Sequence, residues 1–293
     1  MPEAGNGCDG VALRRPGFVR ARCRLMVCWH MAYPLPAELE KRSRWRADQI
    51  RDGEPYEVSD GRRIYCAPTG GRGSGAVATG AAVLKSDPAV SEAGVDTGYT
   101  PDEHTLRAPD VAVGNVPDEP GWVSGVPGLA VEYADTGQDE ASLQAKIDDM
   151  FAAGNKLLWV VRLDGPRRIE VHAPGQPMRV VRAGELLTAP GMLAEPVPVE
   201  AMYDWQAGKE VVLRNLLHAK GYRDLDEVRS EGQDIGRLDG LRSAVLTVLE
   251  TRGLAVSDEL RAAVTGCGDA AILDRWLQQA ATVERAEQVL TEL

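Results

Sequence analysis

The stretch Leu129–Val161 reads LAVEYADTGQDEASLQAKIDDMFAAGNKLLWVV, and its two changes of period decide the fold. Leu129 to Ala134 alternates: Leu129, Val131 and Tyr133 share one face, Ala130, Glu132 and Ala134 the other, as on a β-strand. The spacing then lengthens, and Leu143, Ile147, Met150 and Phe151 recur as on one side of an α-helix that Gly154 stops. Leu157 to Val161 is a continuous apolar run, the pattern of a central strand covered on both faces. Strand, helix and doubly covered strand predict an α/β core.

Working outward, Asp110 to Val113 alternates as a further strand. Gly70 to Gly80 is glycine-rich and lacks the Gly-Lys-Ser/Thr ending of a phosphate-binding loop, so it is read as leading into a small-residue helix through Ala76 to Leu84. Asp60-Gly61, between Tyr56-Glu57-Val58 and Arg63-Ile64-Tyr65-Cys66, signals a hairpin. Pro36 to Arg51 reads as a short charged helix. Beyond Val161, Asp164-Gly165-Pro166 is a turn, and Ile169 to Ala173 alternates again. From about Trp205 the pattern is helical only. Val212, Leu213, Leu216 and Leu217 form one stripe, Leu238, Leu241, Val245, Val248 and Leu249 a second, and Ser257 and Asp269 cap two more helices. The expected organisation is a disordered basic leader over 1–30, an α/β domain over 31–205 and an all-helical C-terminal extension over 206–293.

Composition is that of a soluble globular chain: 26% charged and 44% hydrophobic residues over 293 positions. No apolar run is long enough to span a bilayer and no secretory signal pattern opens the chain, so the cytoplasm is the expected compartment. The five cysteines are odd in number and form no C-x-x-C pair, which argues against a disulfide framework or a zinc site. The net charge of −11 is unfavourable for binding phosphates. Between Ala93 and Trp159 only Arg107, Lys146 and Lys156 offset twelve acidic residues. That concentration suits a solvated face or a place where carboxylates gather around a divalent cation.

Asp110 and Glu132 are the informative carboxylates. Each is expected on a strand, beside alanines rather than large apolar residues, which leaves space around it. A carboxylate in that position is costly unless it is paired or bound to a cation. Lys146 falls within the Leu143, Ile147, Met150 stripe that should face the sheet. Periodicity favours an ammonium that snorkels to the edge, and the alternative aims it at Glu132 and Asp110. His104 and His172 are isolated and read as surface or core residues. Asp135, Asp139 and Glu140 read as loop and helix start, and Tyr133 and Trp159 as core.

The ordered series Pro109-Asp110, Leu129-Ala130-Val131-Glu132, Lys146, Gly154 and Trp159 resembles the Uma2 family of restriction-endonuclease-like proteins, also called DUF820, within the PD-(D/E)XK nuclease superfamily. Gly53-Glu54-Pro55-Tyr56-Glu57 with Asp60-Gly61 before it, and Arg168-Ile169-Glu170-Val171 after it, extend the likeness over roughly residues 45 to 204. The resemblance implies a mixed central sheet flanked by helices, with Asp110 and Glu132 as metal ligands, Glu57 as an upstream acidic member and Mg²⁺ or Mn²⁺ as cofactor. The superfamily pattern puts lysine two residues after the Glu, where this chain has Ala134. Lys146 on the following helix is then the expected substitute. The function implied is metal-dependent endonucleolytic hydrolysis of DNA, with a homodimer open. The alternatives are an inactive nuclease-fold scaffold and a hydrolase of a small phosphodiester.

Overall fold

The computed structural model describes residues 44–291. The expected basic leader lies outside them, as does the start of the helix expected from Pro36; of that helix only a 3₁₀ turn, Ala47–Gln49, is present among the described residues. In chain order the elements are β1 Tyr56–Ser59, β2 Arg62–Tyr65, α1 Gly71–Lys85, β3 Ala93–Val95, β4 Tyr99–Asp102, β5 Thr105–Arg107, β6 Val111–Val113 and β7 Val123–Ser124. Next come β8 Leu129–Ala134, α2 Glu140–Ala152, β9 Leu157–Arg162, β10 Arg168–His172, β11 Arg179–Arg182, β12 Leu186–Leu187 and β13 Val197–Pro198. Helices α3 Trp205–Ala219, α4 Leu225–Thr251, α5 Asp258–Gly266 and α6 Ala270–Ala280 follow.

The central sheet has the order β11-β10-β9-β8-β6-β3. Its middle pair, β8 and β9, is parallel, while β6 and β10 flank it antiparallel, so the sheet is mixed. All of β8 and all of β9 but Arg162 are buried, as expected of strands covered on both faces. One face carries Ala130, Ala134, Leu158 and Val160 against Leu143, Ile147 and Met150 of α2. The other carries Leu129, Val131, Tyr133, Trp159 and Val161 against Ala76, Val83 and Leu84 of α1 and Val211 of α3. Gly80 makes that second packing close: a Cβ there would clash with the Tyr133 hydroxyl oxygen. Helix α1 starts five residues before the span expected from Ala76, because its glycine-rich first turns are helical too.

A smaller sheet, β2-β1-β5-β4-β7, stands beside the first. Its β1–β2 hairpin turns on Asp60 (φ 46°) and Gly61 (φ 76°), the left-handed pair that a tight two-residue hairpin requires. The chain leaves this sheet at Arg107, crosses Ala108-Pro109-Asp110 and enters the central sheet at Val111. The site forms at that crossing.

At the C-terminal end α3 buries Gly208, Val211 and Asn215 against the central core. Leu213 and Leu216, expected within a buried stripe, are 39% and 54% exposed. The helix is turned so that Gly208 can approach Thr79, which a Cβ at Gly208 would meet at 2.8 Å. A second apolar cluster joins Val245 and Leu249 of α4 to Leu260, Val264, Leu273 and Val289. Ser257 and Asp269 cap α5 and α6 as their sequence suggests. Among the described residues no helix is long and apolar enough to cross a membrane.

Candidate active site

Four elements bring four charged side chains together. Glu57 comes from β1, Asp110 from the crossing between the sheets, Glu132 from β8 and Lys146 from α2. Val111 pairs with Val131 in antiparallel register, which sets Asp110, one residue before β6, across from Glu132. Like charges directly opposite each other destabilise a sheet unless a cation lies between them. Lys146 supplies one beside Glu132. Its Nζ lies 2.9 Å from Glu132 Oε1 and 2.9 Å from Glu57 Oε1, and donates to the Ala108 carbonyl at 2.7 Å. The ammonium therefore reaches inward from the sheet-facing side of α2, and does not snorkel to its edge.

Arg107, only 1% exposed, backs this arrangement. It donates to Glu57 Oε2 at 2.9 Å and to Asp149 Oδ2 at 2.8 Å, and Ser59 donates to the same Asp149 oxygen at 2.7 Å. The Ala108 N–H donates to Glu57 Oε1 at 3.2 Å. Glu57 thus has donors on both oxygens. Asp110 accepts from the Tyr133 N–H at 2.6 Å through one oxygen. Glu132 is less well served. Its Oε2 accepts from Lys146 at 3.1 Å, but its buried Oε1, although close to the ammonium, has no donor in hydrogen-bonding geometry.

These differences set the protonation of the group. Burial raises the Glu57 carboxyl, but Lys146 and Arg107 outweigh it and the group ends below its ordinary value. Burial pushes the Glu132 carboxyl up to about 8; Lys146 opposes this, while Asp110 and Glu57 add to it. Asp110 is raised by burial against the pull of Lys146 and the Tyr133 N–H. Lys146 is held above its ordinary value despite burial, because Glu132, Glu57 and Asp110 surround it. Two carboxylates touch one ammonium yet shift in opposite directions, since only Glu57 also has an arginine.

A cavity of about 530 Å³ lined by Tyr56, Glu57, Asp96, Asp110 and Lys146 opens on one side of this group. A second of about 430 Å³, lined by Glu57, Tyr65, Glu132 and Lys146, adjoins it and shares Glu57 and Lys146 with it. Asp96, in the left-handed region at φ 52°, belongs to the first rim. Arg107, Asp149 and Asp96 were not singled out by sequence reasoning. Asp149 stands three residues after Lys146, one helical turn along the same face, and that spacing is the signal that could have found it. Nothing local to Arg107 marks it beyond its place in a strand. Asp135, Asp139 and Glu140 take other roles: Asp135 pairs with Arg72, Asp139 caps α2, and Glu140 pairs with Arg162.

A family model, Uma2, described as "Putative restriction endonuclease", matches residues 39–197. The chain belongs to the Uma2 family. Among solved structures, a protein from Anabaena variabilis described as a "putative nuclease belonging to DUF820" is similar with 17% identity and a TM-score of 0.47, over 54% of this chain and 94% of that one. No curated protein matches. Uma2 proteins are restriction-endonuclease-like, a class that generally uses divalent metals.

The donor set of this Uma2 chain can be tested against such an ion. Among the described residues no group of three or more His, Cys, Asp or Glu side chains could hold a metal ion. Mg²⁺ is commonly held by one or two carboxylates, with water and substrate phosphate completing its shell. Asp110 and Glu132 are the two carboxylates that could play that part, and the donorless Glu132 Oε1 has spare acceptor capacity. The residues fit an ion that brings its remaining ligands with it.

Proposed function

We propose that this protein is a metal-dependent endonuclease that hydrolyses phosphodiester bonds in DNA. The observation that carries the reading is the inward ammonium of Lys146, 2.9 Å from Glu132 and opposite the Asp110 strand end. It supplies, from a helix, the cation that the superfamily pattern would place at Ala134. Asp110 and Glu132 would hold Mg²⁺ or Mn²⁺, which when bound supplies Lewis-acid activation of the scissile phosphate and of a water. Lys146 lines both the cavity beside Asp110 and the one beside Glu132, and would offset negative charge that develops on the phosphoryl oxygens. Glu57, with donors on both oxygens, is suited to anchor Lys146 rather than to complete a metal shell.

A scaffold that keeps the fold without the chemistry is the second reading. It is favoured by the same contacts, because Lys146 already pairs with Glu57 and lies against Glu132 without any metal. Calorimetric titration with Mn²⁺ and cleavage of supercoiled plasmid, run on the wild type, Asp110→Asn and Lys146→Met, separate the two. The nuclease reading expects a discrete Mn²⁺ site that Asp110→Asn loses, and cleavage that both variants lose. It also expects Lys146→Met to retain Mn²⁺. Identical titrations for wild type and Asp110→Asn, with and without DNA, would sink it in favour of the scaffold.

A further inference from the structure

The cavity of about 530 Å³ that Asp110 and Lys146 line is also lined by Tyr56, Trp122 and Asp96, which the ion pairs of the site do not use. Trp122 is fixed in that wall. Its Nε1 donates to the Ile50 carbonyl at 3.1 Å, and the parallel pairing of Tyr99 with Val123 sets it beside Gly98. A Cβ at Gly98 would clash with the indole ring, so the glycine lets that ring lie against the backbone. The indole also packs on the Val58 and Leu106 cluster, yet it stays only half-buried.

Asp96 stands two residues before Gly98, in the turn between β3 and β4. It is exposed, and its φ of 52° is in the left-handed region, which aspartate and asparagine enter more readily than most residues. Its N–H reaches the Asp110 carbonyl at 3.4 Å, which ties the turn to the strand end that carries the Asp110 carboxylate. No described residue hydrogen-bonds the Asp96 carboxylate itself. The wall therefore offers a rigid aromatic face and, beside it, an acceptor with free capacity. A cavity of this size, with aromatic lining and few polar groups, has the form of a site for one small group and not for a double helix.

Chemistry selects the occupant. Apart from Lys146 the charged residues of this cavity are all acidic, Asp52 and Glu54 adding to Glu57, Asp96 and Asp110. Away from Lys146 such a lining repels a phosphate and suits a group that donates hydrogen bonds. A nucleobase has a π-face, and cytosine, adenine and guanine each carry an amino donor. In a duplex the faces are stacked and the edge is paired, so only an unpaired base can present both. Stacking also needs fewer phosphate contacts than a basic track along a duplex, which fits a chain of net charge −11. We infer that this cavity is a base pocket, in which Trp122 stacks on one unpaired nucleotide of the DNA strand and Asp96 accepts from its amino group, next to the phosphate at Asp110 and Lys146. The inference takes the position of that phosphate from the nuclease reading above.

Fluorescence anisotropy of labelled oligonucleotides of about ten nucleotides tests this, with the full chain in Ca²⁺ and again in chelator. Single-stranded oligo-dC is expected to bind about tenfold tighter than its duplex, and tighter than oligo-dT, whose base has no amino group. Trp122→Ala is expected to lose at least about fivefold on the single strand, and Trp122→Phe to keep most of the affinity. Asp96→Asn, at an exposed left-handed position that asparagine accepts, remains informative if Trp122→Ala does not fold. Removing a negative charge alone would raise affinity for every strand alike, whereas the pocket expects the preference for dC over dT to disappear. Equal binding of single strand and duplex, or an unchanged preference in Asp96→Asn, overturns the inference even if plasmid is cleaved, and the nuclease reading then stands without it. Single-strand binding with the expected variant effects, but no cleavage in Mn²⁺, supports the pocket and counts against the nuclease reading alone.

Discussion

Glu132 has a buried carboxylate with one half-shared lysine, a neighbouring carboxylate across the strand pair and a second on the same ammonium. Its protonation should therefore be visible in stability. In the metal-free protein its carboxyl stands at about 8, against 4.5 for an unperturbed group. An acid raised in the folded state holds a proton that the unfolded chain has released. The stability this contributes is fully present below about pH 4.5 and is lost as pH rises through 8. Glu57, shifted the opposite way, acts in a lower window: its contribution is lost as pH falls below its unfolded value. Melting temperatures in chelator should thus fall from about pH 5 to about pH 9, and Glu132→Gln should flatten that slope. An unchanged slope in the variant would mean that Glu132 is not the group being titrated. At this scale Asp110 and Glu132 stand out in the sequence, because each breaks an otherwise small or apolar pattern, whereas the inward place of Lys146 does not follow from periodicity, which favours an ammonium at the helix edge. Arg107 and Asp149 do not stand out. Each looks like an ordinary charged residue until two sheets and a helix bring them together.

At the scale of elements, local periodicity was a sound guide where packing obeys it and failed where something smaller decided the contact. Strands β8 and β9 and helix α2 follow their apolar periods closely, because large side chains fill both faces of the sheet. Helix α3 does not bury its richest leucine stripe, because Gly208 fixes which side approaches α1. A glycine gives no hydrophobic signal, so a reading by apolar count rotates such a helix wrongly. Gly80 exerts the same control from α1. Its absent side chain lets the Tyr133 hydroxyl sit against the helix and donate to the Met202 carbonyl at 2.9 Å. Gly80→Ala would gain helix propensity, about 1 kcal/mol. It would also force either the tyrosine or the helix aside, at a cost of about 1–3 kcal/mol typical of overpacked cores. The expected net result is destabilisation in urea melts, and Tyr133→Phe should relieve part of it by removing the clashing oxygen. A stabilised Gly80→Ala would show that α1 and β8 leave room for a methyl group at this point.

For the molecule as a whole, composition suggested an α/β part and a helical part with the change near Trp205, where strand patterns stop. Packing follows a different line. Val211 is buried in the central core, with Ala207 and Val212 against it, and Asn215 is buried with its amide donating to the Ser86 hydroxyl at 3.1 Å. Helix α3 thus covers the same sheet face as α1, although by sequence it opens the helical run. The second cluster begins only in the latter half of α4. A change of secondary structure and a change of core need not coincide, since a core is defined by what its residues touch. A chain ended after Lys220 should therefore keep its central core, with a cooperative melt and near-UV circular dichroism like that of the full protein. A chain ended after Tyr203 should expose the face that Val211 and Val212 cover. At about 1.5–3 kcal/mol per buried valine, that loss is comparable to the total stability of many domains, and the shorter chain should be molten or insoluble. If the two truncations melt alike, α3 adds little to the core, and the division belongs where the strand pattern ends.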